Sequence, residues 1–130
     1  MRDARHKGQK KIGPTLLELV LQLHGDFRRQ LKPIRVTPLQ AGVLLFLRRH
    51  AEARVTDAAT ALRLRLPTMS VLVKALVRKR WVITRRPVED RRAVGVRLSR
   101  QGQVLARRIE DQVRHVSTEW RRTRMRPPLD

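Results

Sequence analysis

Apolar residues recur at intervals of three and four along most of this chain, the period of a half-buried helix, and change to intervals of two in one place. The first helical stripe is Leu16, Leu19, Val20, Leu23, Phe27 and Leu31, with Pro14 suited to its first turn. Leu17 and Leu21 widen the stripe beyond one face, so this helix wants more than one neighbour. Lys32-Pro33-Ile34-Arg35 breaks it. Thr37, Pro38 and Gln40 then form the N-cap, first position and capping box of a second helix. It runs through Val43, Leu44, Phe46 and Leu47 to about His50 and is the most apolar stretch, which places it at the core. Ala51 to Arg54 reads as a loop, with a short strand at Arg54-Val55. Thr56 or a neighbour starts a third helix through Ala58, Ala59 and Leu62. Arg63-Leu64-Arg65 is the turn into a fourth.

The fourth helix spans 66–80. Met69, Leu72, Val73 and Leu76 keep helical spacing, while Thr68, Ser70, Val71, Lys74 and Arg78 fall mainly on other faces. Val82 and Thr84 then alternate with Ile83 and Arg85, and Val94, Val96 and Leu98 with Gly95 and Arg97. With Pro87-Val88-Glu89-Asp90 between them, these runs predict a β-hairpin over 82–98. Ser99 can cap a last long helix with the stripe Leu105, Ile109, Val113, Val116 and Trp120, ended by Pro127-Pro128. A helix-turn-helix followed by an arginine-tipped hairpin is the plan of a winged helix, whose second helix enters the major groove of DNA.

The run PTMSVLVKALVRKRWVITR, followed by EDRR and VRLSRQG, resembles the MarR-type winged-helix transcription regulators. The matching features are Thr68-x-Ser70, the Leu76 to Val82 helix-to-strand junction, the wing Asp90-x-Arg92, and Ser99-x-x-Gly102. The resemblance runs from about Leu16 to Val116. It implies a mostly α winged helix-turn-helix fold, a helical bundle with a small β-hairpin wing, whose sixth helix is short or absent here. It implies a basic arm over 1–11 and a single domain over 12–130. Within that domain lie a DNA-binding winged helix at about 37–98 and dimerisation helices at about 14–31 and 99–124. It implies a homodimeric regulator of double-stranded DNA, more often a repressor, with a small aromatic acid as candidate inducer. Pro67, Thr68, Ser70, Val71 and Lys74 of the recognition helix and Asp90, Arg91 and Arg92 of the wing are the expected DNA-binding residues. Many relatives carry arginine where this chain has Val71. Valine can pack on a thymine methyl but cannot hydrogen-bond guanine. Two further departures are Arg63 and Arg80, where the family pattern has glycines with a left-handed backbone.

Charge strengthens this picture. Lys and Arg number 31 against 11 Asp and Glu, a formal charge of +20 with a pI near 12.0. Such an excess points to a polyanion. A non-specific architectural DNA-binding protein is the competing reading, since the charge alone would suffice for it. Met1 to Lys11 is polar and basic and reads as an arm able to touch phosphate. The chain has no cysteine, which removes disulfides, thiolate metal sites and thiol redox sensing. No apolar run reaches the roughly 20 residues of a membrane span, and the N-terminus lacks a signal-peptide core, so a cytoplasmic location is expected.

Catalytic chemistry finds little footing. No nucleophile–histidine constellation is evident, and the glycines are isolated rather than grouped in a phosphate loop. His6, His24, His50 and His115 lack metal-ligand spacing, and no cofactor is expected. Glu89 and Asp90 sit in an arginine-rich loop, where a carboxylate orients Arg91 and Arg92 rather than moving protons. With no tyrosine, two Trp and two Phe, an aromatic platform for RNA is missing. Trp81 reads as a core residue anchoring the wing.

Overall fold

A computed structural model of the chain describes residues 15–86 and 94–123. In chain order these residues form α1 (Leu16–Leu31), a 3₁₀ turn (Lys32–Ile34), α2 (Pro38–Arg49), β1 (Ala53–Arg54), α3 (Val55–Ala61), α4 (Leu66–Arg78), β2 (Val82–Arg85), β3 (Gly95–Leu98) and α5 (Arg100–Thr123). The predicted helices and hairpin strands are all present. The predicted strand at Arg54-Val55 falls one residue earlier, because the Val55 amide, bonded to the Val94 carbonyl at 3.0 Å, already belongs to α3. Pro14, the basic arm and residues 124–130, where a sixth helix would begin, lie outside the described residues.

α2 occupies the centre. Its capping box forms as predicted, with Thr37 Oγ1 accepting from the Gln40 amide and Gln40 Oε1 from the Thr37 amide, both at 3.1 Å. Val43, Leu44 and Leu47 are almost wholly buried. Around them pack Leu31 of α1, Met69 and Leu76 of α4, Val96 of β3, and Leu105 and Ile109 of α5. Burial of such side chains is worth about 1.5–3 kcal/mol each, the main favourable term of a domain this size. The sheet is antiparallel, in the order β1-β3-β2, with Thr84 and Ala53 both opposite Val96.

Three helix ends share one device. At Arg35, Arg63 and Arg80 the backbone turns left-handed, with φ of 64°, 55° and 63°. In each case two amides fold back onto free carbonyls of the preceding turn. Arg63 N bonds Thr60 O at 3.2 Å and Leu64 N bonds Ala59 O at 2.9 Å; Arg80 N bonds Val77 O at 2.9 Å and Trp81 N bonds Leu76 O at 3.1 Å. This is the Schellman closure, normally carried by glycine. The left-handed turns at Arg63 and Arg80 are those the sequence marks as departures. The one at Arg35 has no such mark.

α5 begins where Ser99 caps it. Leu105, Ile109 and Val116 are buried within the subunit, and Val113 packs on the same core. α5 lies against both α1 and α2. Trp120 Nε1 donates to Asp26 Oδ2 at 2.9 Å, Gln30 bonds Gln112, and Glu110 bridges Arg48 at 3.1 Å and Arg114 at 3.4 Å. The stripe of α5 therefore helps to build the subunit's own core. α1 is the opposite case. Its C-terminal half is covered, whereas Leu16, Leu17, Val20 and Leu21 stay exposed by 78, 66, 53 and 62%. Trp81 is only half-buried, capped from outside by Lys79 Nζ 4.8 Å above its ring. Among the described residues no helix is long and apolar enough to cross a membrane.

The turns and the junction make a paired expectation. Replacing Arg63 or Arg80 by glycine removes a left-handed penalty of about 1–2 kcal/mol, partly offset by added freedom in the unfolded chain, and should raise Tm. Gly102→Ala should do the reverse. A Cβ there would overlap the Trp81 carbonyl oxygen, a backbone atom with no room to yield. Thermal unfolding of the three single variants checks both signs.

Candidate nucleic-acid interface

α4 is held by one face and open on the other. Met69, Val73 and Leu76 are buried against the core. Pro67 sits in the first turn, where its missing N–H costs nothing. Thr68, Val71, Lys74 and Arg78 point outward, and Ser70 is half-buried at the edge. Val71 is 66% exposed, a large apolar surface to leave in water on a helix with a ready core. The recognition-helix residues named from the sequence thus share one accessible surface. Asp90, Arg91 and Arg92, the wing residues named from the sequence, lie outside the described residues, as do Glu89 and its proposed orienting role.

β2 leaves the end of α4 after the Arg80 turn, and β3 returns beside it with Arg85 opposite Gly95. Between α4 and these strands runs an open groove of about 590 Å³. Ser70, Lys74, Val77 and Arg78 line it from the helix, and Thr84, Arg86 and Val94 from the strands. Thr84 and Arg86 are site residues that the sequence reading did not name. The alternation over 82–86 was the available signal, since it puts both on the side facing α4.

The electrostatics of the two halves differ. The five ion pairs among the described residues involve Asp26, Glu110, Asp111 and Glu119, all on α1 or α5. Arg63, Arg65, Lys74, Arg78, Lys79, Arg80 and Arg86 are all exposed. None has an ion-pair partner among the described residues. Cations left unpaired around an open helix and groove form a surface able to take up phosphate. Among the described residues no group of three or more His, Cys, Asp or Glu is placed to hold a metal ion.

Residues 36–93 match the family model described as MarR family. No curated protein matches the chain in sequence. Several solved structures share its fold. The transcriptional repressor CouR bound to a 23-mer DNA duplex is 26% identical, with 85% of this chain and 77% of that one covered and a TM-score of 0.76. A cysteine-to-serine mutant of MarR from E. coli, complexed with operator DNA, is 24% identical over 82% of this chain and 78% of that one, with a TM-score of 0.74. NadR in complex with 4-hydroxyphenylacetate is 20% identical over 82% and 76%, with a TM-score of 0.73. The matched segment begins before α2 and takes in α3, α4 and β2 with the turns that flank α4, so over this winged helix the chain resembles the MarR family of transcription regulators.

Proposed function

We propose that this protein is a sequence-specific regulator of transcription, most simply a repressor, that binds double-stranded DNA as a homodimer. The observation carrying this reading is the sorting of charge. The ion pairs among the described residues join Arg29, Arg48, Arg114 and Arg122 to acids of α1 and α5, and none of them involves the cations crowded around α4. DNA-bound CouR and MarR share the fold, which supports the same use of α4 here. In this reading Thr68, Ser70, Val71 and Lys74 meet bases and phosphates, with Pro67 setting the helix entry. Arg91 and Arg92 serve the wing and Asp90 shapes it. The winged helix spans about 37–98. Dimerisation rests on the helices over about 14–31 and 99–124, with the exposed leucines of α1 as the open apolar surface. Two recognition helices about one DNA turn apart would read a roughly palindromic site. For a small aromatic acid as inducer, the cleft between α2 and α5, about 400 Å³ and lined by Arg49 and Arg121, is the candidate site. Selection of bound DNA from a random pool at physiological salt tests the whole reading. A defined motif supports it, and a specificity ratio near one would instead make this an architectural DNA-binding protein.

The dimer has its own test. Leu17 and Leu21 lie on the exposed face of α1, so Leu17→Glu with Leu21→Glu should leave Tm nearly unchanged while shifting sedimentation to monomers. A soluble double variant that remains dimeric would remove this face from the interface.

Val71→Arg should change the selected DNA motif as well as raise general affinity, because it exchanges a methyl-packing group for a guanine donor. An unchanged motif in the same selection would mean that Val71 does not meet bases.

Arg92 is assigned to the minor groove beside the recognition helix, where a narrow groove concentrates negative potential. Arg92→Ala should weaken binding by about 1–3 kcal/mol and lower the salt slope by about one unit per subunit. Asp90→Ala should also weaken binding, although it deletes a negative charge. Tighter binding by Asp90→Ala at equal salt, measured by fluorescence anisotropy, would show that Asp90 is a solvated charge with no organising part.

A further inference from the structure

The sheet has a second face, and nothing so far gives it a role. Cross-strand partners project to the same side of a sheet, and alternate residues to opposite sides. Val82, Val96 and Leu98 are buried, so their side looks inward. On the other side, one row crosses all three strands: Arg54 of β1 and Arg85 of β2 both stand opposite Gly95 of β3. Two strand spacings put these arginine backbones about 10 Å apart. Glycine leaves the middle of the row without a side chain. Arg97 lies two residues along β3, opposite Ile83. The result is a hollow of about 400 Å³ with three arginines around a glycine slot. Ile83 contributes an apolar patch that is 42% exposed, and Glu52 and Asp57 line the same hollow from the β1–α3 side.

Two features set this hollow apart from a merely solvated surface. The first is that Arg54, Arg85 and Arg97 form no ion pair with Glu52 or Asp57, although all five line one hollow. Their guanidinium groups stay available. The second is orientation. The groove toward the recognition helix takes Thr84, Arg86 and Val94, whereas this hollow takes Ile83, Arg85, Gly95 and Arg97, the opposite side of the same strands. A duplex lying along α4 faces the other surface.

We propose that this hollow binds the phosphate ester of a small hydroxyl-bearing molecule, of the sugar-phosphate class. Planar guanidinium forks on both sides of a slot suit a phosphate dianion, which accepts two parallel hydrogen bonds from each. The volume lies within the range of about 300–1,000 Å³ common to small-molecule sites, leaving room beyond the phosphate. Ile83 packs against the body of the ligand, and the carboxylates of Glu52 and Asp57 accept from its hydroxyls. A DNA phosphate is the other source of the same chemistry, and the experiment separates the two. The site rests on strand register and not on the DNA-binding reading.

The test is calorimetric titration of the full chain at fixed ionic strength with inorganic phosphate, ribose 5-phosphate and ribose as probes. Ribose 5-phosphate is expected to bind more tightly than inorganic phosphate, and ribose not to bind. Arg54→Ala with Arg85→Ala should weaken ribose 5-phosphate about tenfold or more, the scale of lost charge-assisted hydrogen bonds. Gly95→Glu should abolish binding by placing a carboxylate in the slot. Its Cβ fits the backbone, since the nearest atom is the Arg85 carbonyl oxygen at 3.5 Å. Thermal melts confirm that the variants fold, and the double arginine variant decides alone if Gly95→Glu does not. Unchanged affinity in the variants would overturn the proposal, because a chain of charge +20 holds other arginines for phosphate. Absence of ribose 5-phosphate binding, with a reduced salt slope for DNA in the double variant, would overturn it too and give these arginines to the DNA backbone.

Discussion

One serine fixes the recognition helix to the rest of the molecule. The Ser99 hydroxyl donates to the Arg80 carbonyl at 2.6 Å and accepts from the Gly102 amide at 3.0 Å, while the Ser99 amide donates to the Trp81 carbonyl at 2.9 Å. Four elements meet there: the end of α4, the start of β2, the end of β3 and the first turn of α5. The close approach is possible because residue 102 has no side chain to meet the Trp81 carbonyl. Any rotation of α4 relative to α5 must break these bonds. α5 in turn grips α1 through Trp120 and Asp26. The pitch of the surface meeting DNA is thus set against the helix proposed to join two subunits. That is the requirement for reading two half-sites at one spacing.

Much of this was legible in the sequence because local chemistry and tertiary demand agree. Thr37, Pro38 and Gln40 specify a helix start that needs no tertiary help. The stripe of Met69, Val73 and Leu76 fixes which face of α4 is buried and therefore which residues are presented outward. The left-handed turns at Arg63 and Arg80 were legible only through the resemblance, whose pattern has glycine at both positions. Arg35 carries no such mark. Pro33 explained the break after α1 by itself, and nothing local signalled a left-handed residue two positions later.

The partnership of long apolar stripes was less legible. Periodicity shows that Leu105, Ile109, Val113 and Val116 want burial, but it cannot say whether the covering surface belongs to the same chain. Here α1 and α2 cover them. The same ambiguity on α1 resolves within one helix, since Phe27 and Leu31 meet the core and Leu16 and Leu17 do not. Alternation marked Thr84 and Arg86 as one side of a strand, but they become neighbours of Ser70 and Lys74 only when β2 folds back along α4, which spacing along the chain does not encode.

The two proposed interfaces answer to salt in opposite directions. A surface of unpaired arginines binds DNA largely by releasing counterions, so its affinity falls as salt rises. Association through the exposed leucines of α1 would bury apolar area, which added salt does not oppose. Self-association of a chain carrying +20 must also overcome charge repulsion, and salt screens that repulsion within about 8–10 Å. At low salt DNA itself can supply this neutralisation. Each subunit's phosphate contacts lower the cost of bringing the second subunit near, so DNA binding and dimerisation become positively linked. The coupling requires no conformational change. It follows from the net charge each subunit carries and from the cations around α4 that have no ion-pair partner among the described residues.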